Sequence, residues 1–181
     1  MHNILRILLS LTLAGIGLTI LLAKKILTLP FGHIQVAIPI FIFTIFAQAF
    51  IMFYFIGVSR FVKNILDILK NGKELNELFD EAPADLLPYT KKIEQFNTQA
   101  ENYKRQTIPW IILSLILGML AFLLGGAHDT GMVAKYIHSG VVYGFTTSLL
   151  IGSYWQWANL GKTNFLLRNV KTLFSLPDKQ M

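Results

Sequence analysis

Three of the four histidines in this 181-residue chain sit where apolar stretches begin or end: His33, His128 and His138. Asp129 follows His128 directly, and Met132 lies in the same short segment. Imidazole nitrogens with one carboxylate suit Zn, Cu or non-haem Fe. Two imidazoles from different helices also suit the axial positions of a b-type haem. The expected site is therefore a transition-metal or haem centre with ligands from His33, His128, Asp129 and His138. No H-x-x-x-H or H-E-x-x-H spacing fixes the set. The competing reading is of interfacial histidines whose polar tips reach water, and it weighs more. His2 falls at the opposite end of the first stretch.

Other chemistries find little support. There is no cysteine, which removes disulfides, thiolate metal sites, iron–sulfur clusters and covalent haem attachment together. His138 and Ser139 are sequence neighbours, and neighbours on a helix point about 100° apart, so they form no catalytic dyad. No glycine-rich loop with a lysine is present to cradle phosphate. Non-catalytic roles are favoured on these grounds.

Four apolar stretches must position these residues: Ile4–Ala23, Ile34–Val58, Ile108–Gly125 and Tyr136–Leu160. Each approaches or exceeds the ~18–20 residues that cross a ~30 Å hydrocarbon core. None contains Asp or Glu, which also argues against a transporter built on intramembrane carboxylates. The composition, 54% hydrophobic and 14% charged, is too apolar for an ordinary soluble domain. The expected fold class is an all-α integral membrane protein, a single bundle of four transmembrane helices over residues 1–181. The first stretch, too long for a typical signal core and lacking an A-x-A site, is read as a retained anchor.

Lys and Arg set the orientation. Thirteen fall with the termini and the 60–107 segment, and three (Lys24, Lys25, Lys135) with the two other loops. Positive residues mark the cytoplasmic side. Both termini and the 60–107 segment are then cytoplasmic, and the Lys24–His33 and Gly126–Lys135 loops face outward. The expected compartment is a cytoplasmic membrane. The net charge of +6 does not indicate nucleic acid, because 60–107 balances eight basic against eight acidic residues.

That segment reads as a helical hairpin. Phe61, Ile65, Leu66, Ile68, Leu69, Leu75, Leu78 and Phe79 recur near helical spacing, extending the second helix ~20 residues past the bilayer, with Gly72 as a weak point. Pro83 and Pro88 break it, Thr90 is the expected N-cap, and a further helix over Lys91–Gln106 leads to Pro109, a bend at the start of the third span. Residues 162–175 (Phe165, Leu166, Val170, Leu173, Phe174 against Arg168 and Lys171) read as a separate amphipathic helix, packed on the hairpin or lying on anionic lipid. The two halves show no internal repeat.

Within the spans, Gly140, Gly144, Ser148 and Gly152 form a small-residue stripe. Four-residue spacing keeps them on one face, for packing in the bundle or against a second subunit or copy. Thr44 and Gln48 share a face with His33, and polar groups in lipid turn inward. Two functions are expected on this basis: a non-catalytic accessory or scaffold protein with the bilayer and another membrane subunit as partners, or a redox or metal-site protein. Neither cofactor nor partner is named by the sequence.

Overall fold

In a computed structural model, residues 1–28, 30, 32–72, 75, 78, 79, 83 and 85–174 are described. Four helices follow in order: α1 (His2–Ala23), α2 (His33–Asn71), α3 (Leu87–Asp129) and α4 (Lys135–Leu173). Cross-contacts fix their directions. Ser59 faces Glu101 and Lys70 faces Glu94, so α2 and α3 are antiparallel. Gln106 faces Asn159 and Ser114 faces Ser148, so α3 and α4 are antiparallel too. Arg6 meets Trp157 while Lys24 meets Tyr143, which closes α1 onto α4. The result is an up-down-up-down bundle whose neighbours in sequence are neighbours in space.

The helices are unequal. At 1.5 Å per residue the 22 residues of α1 reach ~33 Å, while the 39 of α2 and of α4 reach ~58 Å. The last turns of α2 and α4 and the first turns of α3 therefore outrun α1 as a three-helix extension at the end where α1 begins and α4 stops. Its core is ordinary: Val62, Ile65, Leu69, Ile93, Leu166 and Val170 are buried, and Lys63, Asp67, Lys70, Lys91, Lys92 and Glu94 are exposed. The rings of Phe79, Tyr89 and Phe174 close the tip with centroids 5.1–6.1 Å apart.

Three helices, α1, α2 and α3, are long and apolar enough to cross a membrane. The expected fourth span does not meet that measure. α4 is long enough, but Ser, Thr, Gln, Asn and Gly interrupt its apolar residues.

The helix boundaries differ from the expected ones at three places. α2 stops at Asn71, earlier than expected, because Gly72 takes the left-handed conformation (φ +64°) and its N–H closes on the Ile68 carbonyl at 3.0 Å. Leu78 and Phe79 then bond back to Leu75 in a turn of their own. α3 begins at Leu87 and not at Lys91: Pro88 starts the helix, as proline is suited to a first turn. The Asp85 carboxylate accepts the Leu87 N–H at 2.9 Å, while Thr90 bonds back to the Leu86 carbonyl as an interior residue. Pro109 lies inside the unbroken α3, and Pro39 inside α2. Finally, 162–173 is no separate helix but the last turns of α4. Leu166, Val170 and Phe174 join the core there. The expected hairpin charges at Lys73, Glu74, Glu77, Asp80 and Glu81, the tail charge at Lys179 and position 175 lie outside the described residues.

Candidate functional site

The expected turn at 125–131 forms later than its glycines suggest. Gly125, Gly126, His128 and Asp129 all belong to α3, and the chain reverses over Thr130–Ala134, with Gly131 at φ +76°. His128 is thus a residue of the last helical turn. His138 occupies the first turn of α4. The antiparallel pairing brings their rings together, with centroids 6.0 Å apart and planes 14° from parallel. His138 lies close on the α3 backbone: a Cβ at Gly125 would come within 3.3 Å of its Cε1.

Each ring is held differently. His128 Nδ1 lies 3.1 Å from the Val133 carbonyl oxygen. A carbonyl only accepts, so Nδ1 carries the proton and the lone pair of the neutral ring is on Nε2. His138 Nδ1 is buried with no partner among the described residues. His33 and Asp129 lie within electrostatic range of His138, and both side chains are exposed. The structure therefore brings together two of the four expected ligands. No group of three or more His, Cys, Asp or Glu side chains gathers among the described residues in a metal-binding arrangement. His2 is at the far end of α1.

The small-residue stripe is used within the bundle. Ser148 Oγ is 3.3 Å from Ser114 Oγ on α3, and a Cβ at Gly152 would stand 3.0 Å from Trp110 Cβ. Gly144 has only Leu117 nearby, at 3.9 Å, and Gly140 has open space. The stripe is thus a contact with α3 that tightens from Gly140 toward Gly152.

A buried polar seam follows the same helix. Gln48 and Gln156 are 0% exposed, and the Gln156 amide donates to the Gln48 carbonyl oxygen at 2.8 Å. Asn159 donates to Thr107 at 3.1 Å and to Gln106 at 3.3 Å. Thr44, the other intramembrane polar residue expected, is buried and bonds back to the Ile40 carbonyl at 2.8 Å. The sequence had a signal for Gln156 and Asn159 that went unused: two amides three residues apart in an otherwise membrane-like stretch.

At the base of the extension, Glu101 sits between Ser59, whose hydroxyl donates to it, and Lys104, 2.6 Å away. The Lys104 hydrogen bond first, then that of Ser59, hold its carboxyl below the ordinary range. A depressed folded value stabilises the protein above the unfolded pKa of about 4.3, and that contribution is lost as pH falls through the folded value. Thermal unfolding in detergent between about pH 3 and pH 7 is expected to show this acid loss in the native chain and a smaller one in Glu101→Gln. Parallel pH profiles would remove Glu101 from the account.

No family model, curated protein or solved structure matches this chain.

Proposed function

We propose that the chain is a polytopic protein of the cytoplasmic membrane, with four spans and both termini cytoplasmic, that serves as a non-catalytic accessory or scaffold component of a membrane assembly. The observation that supports insertion is an inversion of polarity along the same helices. In the extension, Val62, Ile65, Leu69, Ile93, Leu166 and Val170 are inside and the charges outside, with Phe61, Leu87 and Phe165 as exposed apolar exceptions. Beyond it, the arrangement reverses: Phe46, Phe50 and Phe53 are exposed, Phe53 by 63%, while Gln48, Gln156 and Asn159 are wholly buried. In water this half would expose its apolar surface and bury amides, two costs at once. In hydrocarbon it is the stable arrangement, because lipid satisfies no hydrogen bond.

The same inversion accounts for α4. Five of its polar residues, Ser148, Ser153, Gln156, Asn159 and Thr163, face inward, while Thr147 is exposed. Its exposed side chains include Ile137, Tyr143, Leu150, Ile151, Tyr154 and Trp157. A helix with that division spans a bilayer inside a bundle although its average composition is modest. The scaffold role follows from continuity. The core that begins at Leu9 and Ile51 runs without interruption to Phe174, so the extension is rigidly coupled to the spans. Such a shape holds a partner at a fixed distance from the membrane.

A single cysteine at Asn71, exposed at the end of α2, tests both parts, since the native chain has none. In intact cells it is expected to resist an impermeant maleimide and to react once the membrane is opened. Loaded with a photoactivatable cross-linker in native membranes, it is expected to give one adduct of discrete mass. Labelling from outside would overturn the topology. Protected cysteine with no adduct would overturn the scaffold role while leaving the topology standing.

A further inference from the structure

We propose that His128 and His138 form a two-histidine site for a divalent transition-metal ion, Zn²⁺ or Cu²⁺, at the loop end of the bundle. The inference goes beyond the scaffold role, and it does not depend on which side of a membrane the loop faces.

Three features carry it. The first is distance. A metal–imidazole bond is about 2.0–2.1 Å, so two imidazoles on one ion place their ring centroids roughly 5–6.5 Å apart. The observed 6.0 Å falls inside that range, and because the two rings are stacked with planes 14° from parallel, a turn of one ring is needed to aim both lone pairs at one ion. The second is the state of the nitrogens. His128 donates Nδ1–H to the Val133 carbonyl, which fixes the tautomer and leaves Nε2 as a free donor. A histidine oriented by a backbone carbonyl through its other nitrogen is the arrangement that metal-ligating histidines use. His138 supplies a second donor in Nδ1, which is buried without a hydrogen bond of ordinary geometry among the described residues, although the ring also interacts with the Ala121 backbone. A buried imidazole nitrogen without a partner costs stability, and a metal ion removes that cost.

The third feature is support. Both ligands sit in terminal turns of helices, joined by a five-residue reversal pinned by backbone bonds, with Gly131 bonding His128 at 2.9 Å and Met132 bonding Ala127 at 2.9 Å. Gly125 lets the His138 ring approach α3, where a methyl group would push it away. The fold thus places the two residues side by side, and a ring rotation completes the site when an ion arrives. Water completes the coordination sphere, since no third His, Cys, Asp or Glu side chain among the described residues joins the pair. Imidazole ligands suit both ions, and Cu²⁺ is expected to bind more tightly than Zn²⁺.

The test uses the full chain purified without a polyhistidine tag, stripped with chelator and titrated with ZnCl₂ and with CuCl₂ in detergent. Near 1:1 uptake is expected. His128→Ala and His138→Ala should each weaken it by more than about 100-fold, beyond the loss that follows removal of an outer partner. His2→Ala and His33→Ala should leave it unchanged. Each variant is first shown to keep the native thermal transition, and His128→Gln and His138→Gln serve where alanine does not fold. Absence of saturable uptake by the native chain would overturn the site. So would equal loss in His2→Ala, or a Soret band in the isolated protein, which would put haem iron there instead.

Discussion

Gly152→Leu is expected to lower the stability of the bundle by about 1–3 kcal/mol, the usual cost of overpacking, whereas Gly140→Leu has little effect. The four-residue stripe treats its members alike, and the structure does not. At Gly152 an added Cβ would stand 3.0 Å from the Trp110 Cβ and 3.8 Å from the Trp110 backbone carbon. Neither atom is the free end of a flexible side chain, so relief requires α3 to move. At Gly144 the nearest atom is the terminal methyl of Leu117 at 3.9 Å, an ordinary contact, and at Gly140 nothing lies within 4 Å. Gly144→Leu should therefore fall between them, with Val142→Leu as a reference off the stripe. Thermal unfolding in detergent orders the four variants. Losses equal at Gly140 and Gly152, accompanied by dissociation of an oligomer, would show that the stripe meets a second copy and would defeat the intramolecular assignment.

How far such differences were legible in advance depends on the scale of the signal. Helices were legible because apolar runs of that length leave little else. The ends were not, although their signals were present. Gly72 carries the usual mark of a helix stop, but Leu75, Leu78 and Phe79 continue the apolar period beyond it and outweigh one residue. Pro88 reads equally as a breaker or a starter, and the choice rests on Asp85 three residues before it, whose side chain caps the Leu87 N–H. The histidines show a different limit. Sequence puts His33, His128 and His138 at one end of the bundle, but a single residue of helix rotation turns a side chain by about 100°. Pairing His128 with His138, and leaving His33 outside, depends on helix register that no local pattern encodes. The polar seam had the opposite fault. Gln156 and Asn159 stood in plain view, and the glycine stripe on the same helix drew the reading away from them.

Replacing either glutamine of the central pair by leucine is expected to destabilise the protein, and replacing both is expected to restore most of the loss. The argument rests on what each change leaves behind. Gln156 donates to Gln48 at 2.8 Å, and both are fully buried between α2 and α4. The far halves of the two amides, Gln48 Nε2 and Gln156 Oε1, have no partner among the described residues. Exchanging N and O in both groups gives the same result, one bond made and one donor and one acceptor left over. The pair is thus already short of bonds, and its one contact is all that keeps either amide from standing alone. Gln156→Leu or Gln48→Leu strands the survivor, at about 1–3 kcal/mol for an unsatisfied buried group. The double variant buries two apolar side chains of similar size and strands nothing. A bond between membrane helices averages only about 0.6 kcal/mol, so its loss is a minor term beside the orphaned amide. A double-mutant cycle by denaturant unfolding in detergent should therefore give a coupling of at least about 1 kcal/mol, with the double variant within about 1 kcal/mol of the native chain. Additive losses would mean that each glutamine is held by other partners, with Ser153 and Asn159 on the same inward face of α4 the first to examine.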